Sequence, residues 1–150
     1  MFQNPKRAQK ELAAVGAALG EPARARVEAR AADAADPDAL VAAFERALPS
    51  LQASGRDAAP LVDPLARLLE ASELAARTLA SRPGLLRWLL GSRTLRAPRP
   101  ADAYLRQARA AARVARPRGH EALLRALRRF KYRELLRITW RDVVLQAPAA

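Results

Sequence analysis

The sequence predicts an all-α protein, a single helical domain of about seven helices that ends in a long C-terminal helix. Ala and Arg make up 37 and 24 of the 150 residues, and both residue types favour helices. No segment alternates apolar and polar residues for long enough to indicate a strand, and β-branched residues are scarce. Prolines and glycines divide the chain into short segments, each with apolar residues at helical spacing.

Length and residue types exclude several kinds of site. A chain of 150 residues can bury a sizeable core without a disulfide or a structural metal. It has no cysteine and one histidine, His120, which excludes disulfides, thiolate metal sites and imidazole clusters. The N-terminus lacks the apolar core of a signal peptide, and no stretch approaches the ~20 apolar residues of a membrane span. We therefore expect a soluble, cytoplasmic protein with no membrane association.

Two helices are predicted at the N-terminus. Asn4 followed by Pro5 forms an N-cap and first-turn pair, and Gly20 is the expected end of this first helix. Residues 22–35 predict a second, weaker helix, because apolar side chains larger than Ala are almost absent there.

The next helix begins with the same signal. Asp36 and Pro37 form a second N-cap and first-turn pair. Because proline is disfavoured inside a helix, Pro49 is the expected end of this helix. Residues 51–60 are rich in Ala, Ser, Gly and Pro and predict a loop.

Three more helices are expected before a connector. The first begins near Pro64, the second is capped by Ser72, and Pro83 opens a short and very apolar third. Residues 91–100 contain two prolines and form the clearest connector in the chain. We expect this connector to join the parts of one domain.

Two helices are predicted to complete the chain, over residues 101–116 and 120–146, separated by the sequence Arg-Pro-Arg-Gly. On a helical wheel, the final helix carries two opposed apolar bands. The first band comprises Leu123, Leu124, Leu127, Phe130, Leu135 and Ile138. The second band comprises Tyr132, Leu136, Trp140 and Val143. Two bands predict a helix with partners on both sides.

Arginines recur at every fourth position of this helix. They are Arg125, Arg129, Arg133, Arg137 and Arg141. A spacing of four drifts by about 40° per step, so the row winds from one band towards the other. It could form a solvated edge, with the pairs Glu121 to Arg125 and Glu134 to Arg137, or it could contact nucleic-acid phosphates. The aromatic residues lie within the apolar bands, which favours packing over base stacking, and two opposed bands do not fit a membrane surface.

Charge is distributed unevenly, and no catalytic constellation is evident. Residues 1–80 contain 10 basic and 11 acidic residues, whereas residues 81–150 contain 17 and 4. Asp36 and Asp38 have the spacing of paired metal-binding carboxylates, but their position at a predicted helix start indicates capping. The sequence contains none of the common phosphate-binding or nucleophile motifs. We therefore predict no catalytic, cofactor-binding or metal-binding residues.

Residues 126–144, ALRRFKYRELLRITWRDVV, resemble a segment of the bacterial glutamine synthetase adenylyltransferase and adenylyl-removing family. In that family the segment has the form L-R-R-F-(basic)-x-R-E-x-L-R-I-x-x-R-D-(apolar). Residues 74–91, LAARTLASRPGLLRWLLG, are similar to a helix that lies upstream in the same family. The two segments together span about half of the chain.

The resemblance implies a specific role. Family members are nucleotidyltransferases: one domain removes AMP from glutamine synthetase, a second attaches AMP from ATP, and both use a divalent metal such as Mg²⁺. A PII signal protein and glutamine regulate them. The chain would be the N-terminal helical region of such an enzyme, with a variable leader at 1–60 and a family-like part at 61–146. The catalytic domain would lie downstream, outside this chain, and the chain alone would be inactive.

The same resemblance identifies a candidate contact surface. The second apolar band would be the face on which the catalytic domain docks, and would remain exposed without that domain. The candidate residues for this contact between domains, or for a contact with an anionic partner, are Arg129, Arg133, Arg137, Arg141 and Trp140. The alternative is a freestanding basic helical module that binds nucleic acid.

Overall fold

The computed structural model describes residues 1–93 and 95–146 and confirms the all-α fold. The described residues contain eight α-helices and two short 3₁₀ helices, and no strand. The α-helices are α1 (Pro5–Leu19), α2 (Glu21–Ala32), α3 (Pro37–Ala53), α4 (Val62–Ala71), α5 (Glu73–Ser81), α6 (Gly84–Gly91), α7 (Ala101–Ala115) and α8 (His120–Val143). The 3₁₀ helices are Ala59–Leu61 and Arg116–Arg118.

The chain divides into two compact units, Met1–Gly91 and Ser92–Ala150. The boundary falls in the segment predicted as a connector. The organisation expected from the sequence, one domain with a leader at 1–60 and a family-like part at 61–146, stays a prediction.

In the first unit, α3 is the central helix and packs against α1, α5 and α6. The largest side chains that are completely buried here are Phe44, Leu65, Leu68, Leu79, Leu86 and Leu89. The predicted N-caps are confirmed, because the side chains of Asn4, Asp36 and Ser72 accept hydrogen bonds from backbone N–H groups of the first turn, at 2.9–3.1 Å. Short polar side chains next to a helix start therefore fix where α1, α3 and α5 begin.

Pro49 does not end α3, contrary to the prediction. The helix continues to Ala53, so the first residues of the predicted loop are helical. Pro49 lies on the exposed side of the helix, whereas its neighbours Ser50 and Leu51 are buried. Ser50 Oγ also donates a 2.5 Å hydrogen bond to the carbonyl of Leu79 in α5. Packing of the residues around Pro49 outweighs the helix-breaking tendency of the proline.

The predicted weak helix forms as a regular element, α2. Its buried residues are Ala23, Val27 and Ala31, which recur at every fourth position. Arg24 pairs with both Glu21 and Glu28 on the exposed side. Small side chains thus allow α2 to pack closely where large apolar ones are missing.

The second unit is a helical hairpin preceded by the connector. Helices α7 and α8 pack together, and the four residues that join them, 116–119, make the two helices antiparallel. Gly119 has φ of 100°, a conformation that favours glycine. The predicted long C-terminal helix is confirmed, and it ends at Val143, three residues before the predicted position.

Candidate functional site in the α7/α8 hairpin

The arginine row of α8 runs from solvent into the interior of the protein. Arg125 and Arg129 are exposed, and Arg133 is half-buried. Arg137 and Arg141 are buried, and Arg137 retains only 1% of its accessible surface. The predicted drift of about 40° per step explains this change, because four steps turn the row almost to the opposite side of the helix.

Glu134 and two arginines form a buried charged cluster. Arg137 Nε donates to Glu134 Oε2 at 3.0 Å. Arg99, from the connector, donates from Nη1 to the other carboxylate oxygen of Glu134. The same Arg99 nitrogen also donates to Gln107 Oε1 at 2.9 Å. The side chains of Arg99, Glu134 and Arg137 are all buried, so these bonds lie in an environment of low dielectric.

Tyr104 of α7 completes the cluster. Its hydroxyl accepts a hydrogen bond from Arg137 Nη2. The guanidinium carbons of Arg99 and Arg137 each lie 5.6 Å from the centre of its ring. In addition to the carboxylate of Glu134, the electron-rich face of the ring stabilises the positive charge of these guanidinium groups. The cluster therefore ties the connector, α7 and α8 together.

Arg141 and its neighbours attach the connector to the end of α8. Arg141 Nη1 donates to the carbonyl of Leu95 at 3.1 Å.

Trp140 and Leu136, from the second apolar band, are buried, with Trp140 only 4% exposed. The exposure expected for the second band is thus wrong at these two residues. The first band carries the exposed apolar surface instead, at Ile138 and Leu127.

These positions separate the candidate contact residues into two sets. Arg129 and Arg133 reach the surface, where a partner can contact them. Arg137, Arg141 and Trp140 are buried and serve the internal packing of the chain. The contact role predicted for all five residues stays a prediction.

A groove runs between α7 and α8 on the surface that carries Arg129 and Arg133. It has a volume of about 820 Å³. The lining residues are Gln107, Ala110, Ala111, Val114, Ala115, Arg118, Ala122, Arg125, Ala126, Arg129, Phe130 and Arg133. The groove thus combines an apolar floor of small side chains with four arginines, and no acidic residue lines it.

The electrostatics of the groove are dominated by positive charge. Burial lowers the pKa of Arg133, and repulsion from Arg129 and Arg99 lowers it further, with Glu134 acting in the opposite direction. Arg118, Arg125 and Arg129 make no ion pair with any residue of the described ranges. The surface of this groove is therefore suited to a negatively charged partner.

The carboxylates considered as metal ligands have structural roles. Asp36 caps α3, and Asp38 accepts hydrogen bonds from the backbone N–H groups of Gln3 and Asn4 at 2.7 and 3.1 Å. Across residues 1–93 and 95–146, no three His, Cys, Asp or Glu side chains lie together in a way that could hold a metal ion. In the same residues, every helix is too short or too polar to cross a membrane.

Comparison with known proteins identifies the family. The family model described as glutamate-ammonia ligase adenylyltransferase matches residues 62–150, more than half of the chain. The chain belongs to this adenylyltransferase family. A relative named bifunctional glutamine synthetase adenylyltransferase/adenylyl-removing enzyme, from Thioalkalivibrio sulfidiphilus (strain HL-EbGR7), is 40% identical over 79 residues. That alignment covers 53% of this chain but 8% of the relative. No solved structure matches.

The adenylyltransferase-family segment 126–144 contains most of the buried polar residues described above. Three charged residues of the family pattern are Glu134 in its R-E pair, Arg137 in its L-R pair and Arg141 in its R-D pair. They bind Arg99, Tyr104 and the Leu95 carbonyl, respectively. Of the two ion pairs predicted within α8, the pair of Glu134 and Arg137 is confirmed at 3.0 Å, whereas Glu121 and Arg125 form no ion pair in the described part of the chain. Sequence reasoning missed Arg99, because nothing in its local sequence indicates burial, and it therefore also missed the contacts that Tyr104 and Gln107 make with Arg99. The matches named above give no support to the nucleic-acid alternative.

Proposed function

We propose that this chain is a helical accessory region of a bifunctional enzyme that adenylylates and deadenylylates glutamine synthetase in the cytoplasm. In this role it acts as a scaffold and contributes no catalytic residue. The catalytic nucleotidyltransferase domain would follow it in the same polypeptide and would bind ATP and Mg²⁺. Glutamine synthetase and a PII signal protein would be partners of the whole enzyme, through which it regulates nitrogen metabolism.

The observation that carries this proposal is the internal use of the family-like segment. Buried charged groups are the first candidates for catalytic residues, and in that segment they are Glu134, Arg137 and Arg141. Each of them bonds instead to another part of the hairpin or to the connector. A catalytic acid, base or phosphate-binding arginine has to reach its substrate. These side chains instead stabilise the hairpin, as expected of a scaffold.

The first test is the activity of the chain alone. We predict that the purified 150-residue protein, incubated with glutamine synthetase, ATP and Mg²⁺, incorporates no AMP into the synthetase above a protein-free control. A full-length member of the family provides the positive control. Transfer of AMP that increases with the concentration of the chain would contradict the proposal.

The second test addresses the scaffold role. We expect Glu134→Gln, introduced into a full-length enzyme carrying this segment, to lower the adenylylating and deadenylylating activities by a similar factor. A group used in the chemistry of one domain would reduce one activity far more than the other. Glu121→Gln at the exposed start of α8 is the matched control and should leave both activities unchanged.

A further inference from the structure

We propose that the groove between α7 and α8 binds an acidic amphipathic α-helix of a protein partner. This helix would place a narrow apolar stripe on the floor of the groove and a row of carboxylates against its arginines. The inference depends on the geometry and charge of the groove, so it holds whether or not the chain is an enzyme scaffold.

The floor of the groove fits the close approach of a helix. Ala110, Ala111, Ala122 and Ala126 present only methyl groups, and small residues at a contact allow helix axes to approach to about 8 Å. Val114 is 66% exposed beside this floor, and Phe130 is half-buried. An apolar stripe laid on these side chains would remove them from water, which favours binding.

The arginines define the chemistry of the occupant. Arg125, Arg129 and Arg133 are separated by one helical turn each, which places successive Cα atoms about 6 Å apart. Carboxylates at every fourth position of a bound helix have the same repeat. A neutral helix would cover the guanidinium groups of Arg125 and Arg129, which make no ion pair within the described ranges, without compensating for their lost hydration. The occupant therefore needs carboxylates in register with at least these two arginines.

The charge of the surrounding unit strengthens this preference. Residues 92–150 contain 15 basic and 4 acidic residues, and one of those acids, Glu134, is already shared by two arginines. Burial, and after it the positive charge of Arg129 and Arg99, lowers the pKa of Arg133. A nucleic acid would satisfy the charge, but its backbone would leave the alanine floor and Val114 uncovered. A helix with both an apolar stripe and carboxylates satisfies both features.

The experiment measures peptide binding to the full 150-residue chain. The probe is a fluorescent helical peptide with Leu and Ala on one stripe and Glu at three positions spaced by four residues. A matched peptide carries Gln in place of each Glu. By fluorescence anisotropy near physiological salt, we expect the Glu peptide to bind at least about tenfold more tightly than the Gln peptide.

Two variants of the chain locate the binding site. Arg125→Glu with Arg129→Glu should weaken binding of the Glu peptide by about tenfold or more. The control, Arg109→Glu with Arg113→Glu, reverses the same number of charges at a separate surface depression that those two arginines line with Pro117. We expect it to change the affinity by less than about threefold.

A third variant distinguishes the groove from general attraction between opposite charges. Ala126→Trp fills the floor without changing any charge and should abolish most of the binding. Circular dichroism checks that each variant keeps its helices. Equal affinity for the two peptides, no binding of either, or equal losses in both charge-reversal variants would overturn the proposal.

Two other occupants are outcomes of the same experiment. If a DNA or RNA duplex binds more tightly than the Glu peptide and displaces it, the groove binds nucleic acid and the proposal is wrong. If the chain sediments as a dimer that Arg125→Glu with Arg129→Glu converts to a monomer, a second copy occupies the groove, and the proposal is also wrong.

Discussion

Glu134 is shared by two arginines that come from different parts of the second unit. It bonds to Arg137 one turn away in α8 and to Arg99, which lies 35 residues earlier in the chain. The local pair could be predicted because both residues share one helix. The distant pair could not, because arginine is rarely buried and the sequence around Arg99 resembles an ordinary exposed connector. Burial of Arg99 follows from tertiary structure that brings it next to Tyr104.

We predict that Glu134→Gln destabilises the chain strongly. The variant removes the carboxylate that the buried guanidinium groups of Arg99 and Arg137 share, and removing one partner of a buried ion pair costs about 3–5 kcal/mol. Urea denaturation followed by circular dichroism measures the change in the free energy of unfolding. Glu121→Gln, at an exposed position of the same helix, should change it by less than about 0.5 kcal/mol. Equal stability of the two variants would show that the cluster contributes little.

A second prediction concerns the exposed pair of Glu21 and Arg24. Hydrogen bonding to Arg24 lowers the pKa of Glu21 from its usual value of 4.5. A carboxyl group whose pKa is lowered by folding adds stability above its unfolded pKa and loses that contribution as the pH falls through its folded value. We expect an NMR titration to place the Glu21 midpoint below 4.5, and Arg24→Gln to return it to the usual value. An unchanged midpoint in Arg24→Gln would contradict the assignment.

At the scale of single helices, the sequence predicted starts more accurately than ends. Asn4, Asp36 and Ser72 cap the helices they were expected to cap, because an N-cap depends on residues that are neighbours in sequence. The predicted end of α3 was wrong, because the position at which this helix ends depends on the burial of Ser50 and Leu51 against other helices. The weak sequence of α2 was misleading for the same reason, since small residues pack well only when a partner surface is present.

The proline inside α3 gives a testable consequence. Pro49 cannot donate a backbone hydrogen bond, and it lies on the exposed side of the helix. Pro49→Ala restores the missing donor, so we expect it to stabilise the chain by about 1–2 kcal/mol, less than the full ~3 kcal/mol proline penalty because the unfolded chain also gains freedom. Pro37→Ala is the matched control. At the first position of α3 a proline is well tolerated, and its replacement should be neutral or slightly destabilising by about 0.4–1 kcal/mol.

At the scale of the whole molecule, the two units are stabilised by different kinds of interaction. The first unit has a core of large apolar side chains from several helices, including Phe44, Leu65 and Leu86. Among the described residues of the second unit, the buried ones include the charged cluster of Arg99, Glu134 and Arg137, and the large apolar side chains buried with them are few. Composition anticipated the concentration of basic charge in residues 81–150. It gave no indication that part of this charge is internal, because counting residues does not separate buried from exposed groups.

This difference predicts how separate fragments behave. A fragment of residues 1–91 keeps its own apolar core, so we expect cooperative unfolding in urea with a helical circular dichroism spectrum. A fragment of residues 92–150 buries little apolar surface, and a core that small supplies at most about 3–5 kcal/mol before the burial of charge is counted. We expect it to unfold gradually and to lose helicity at low urea concentrations. Cooperative unfolding of the second fragment alone would mean that the charged cluster and the hairpin contacts suffice to stabilise it. In that case Glu134→Gln should abolish its cooperative transition, while Glu121→Gln should not.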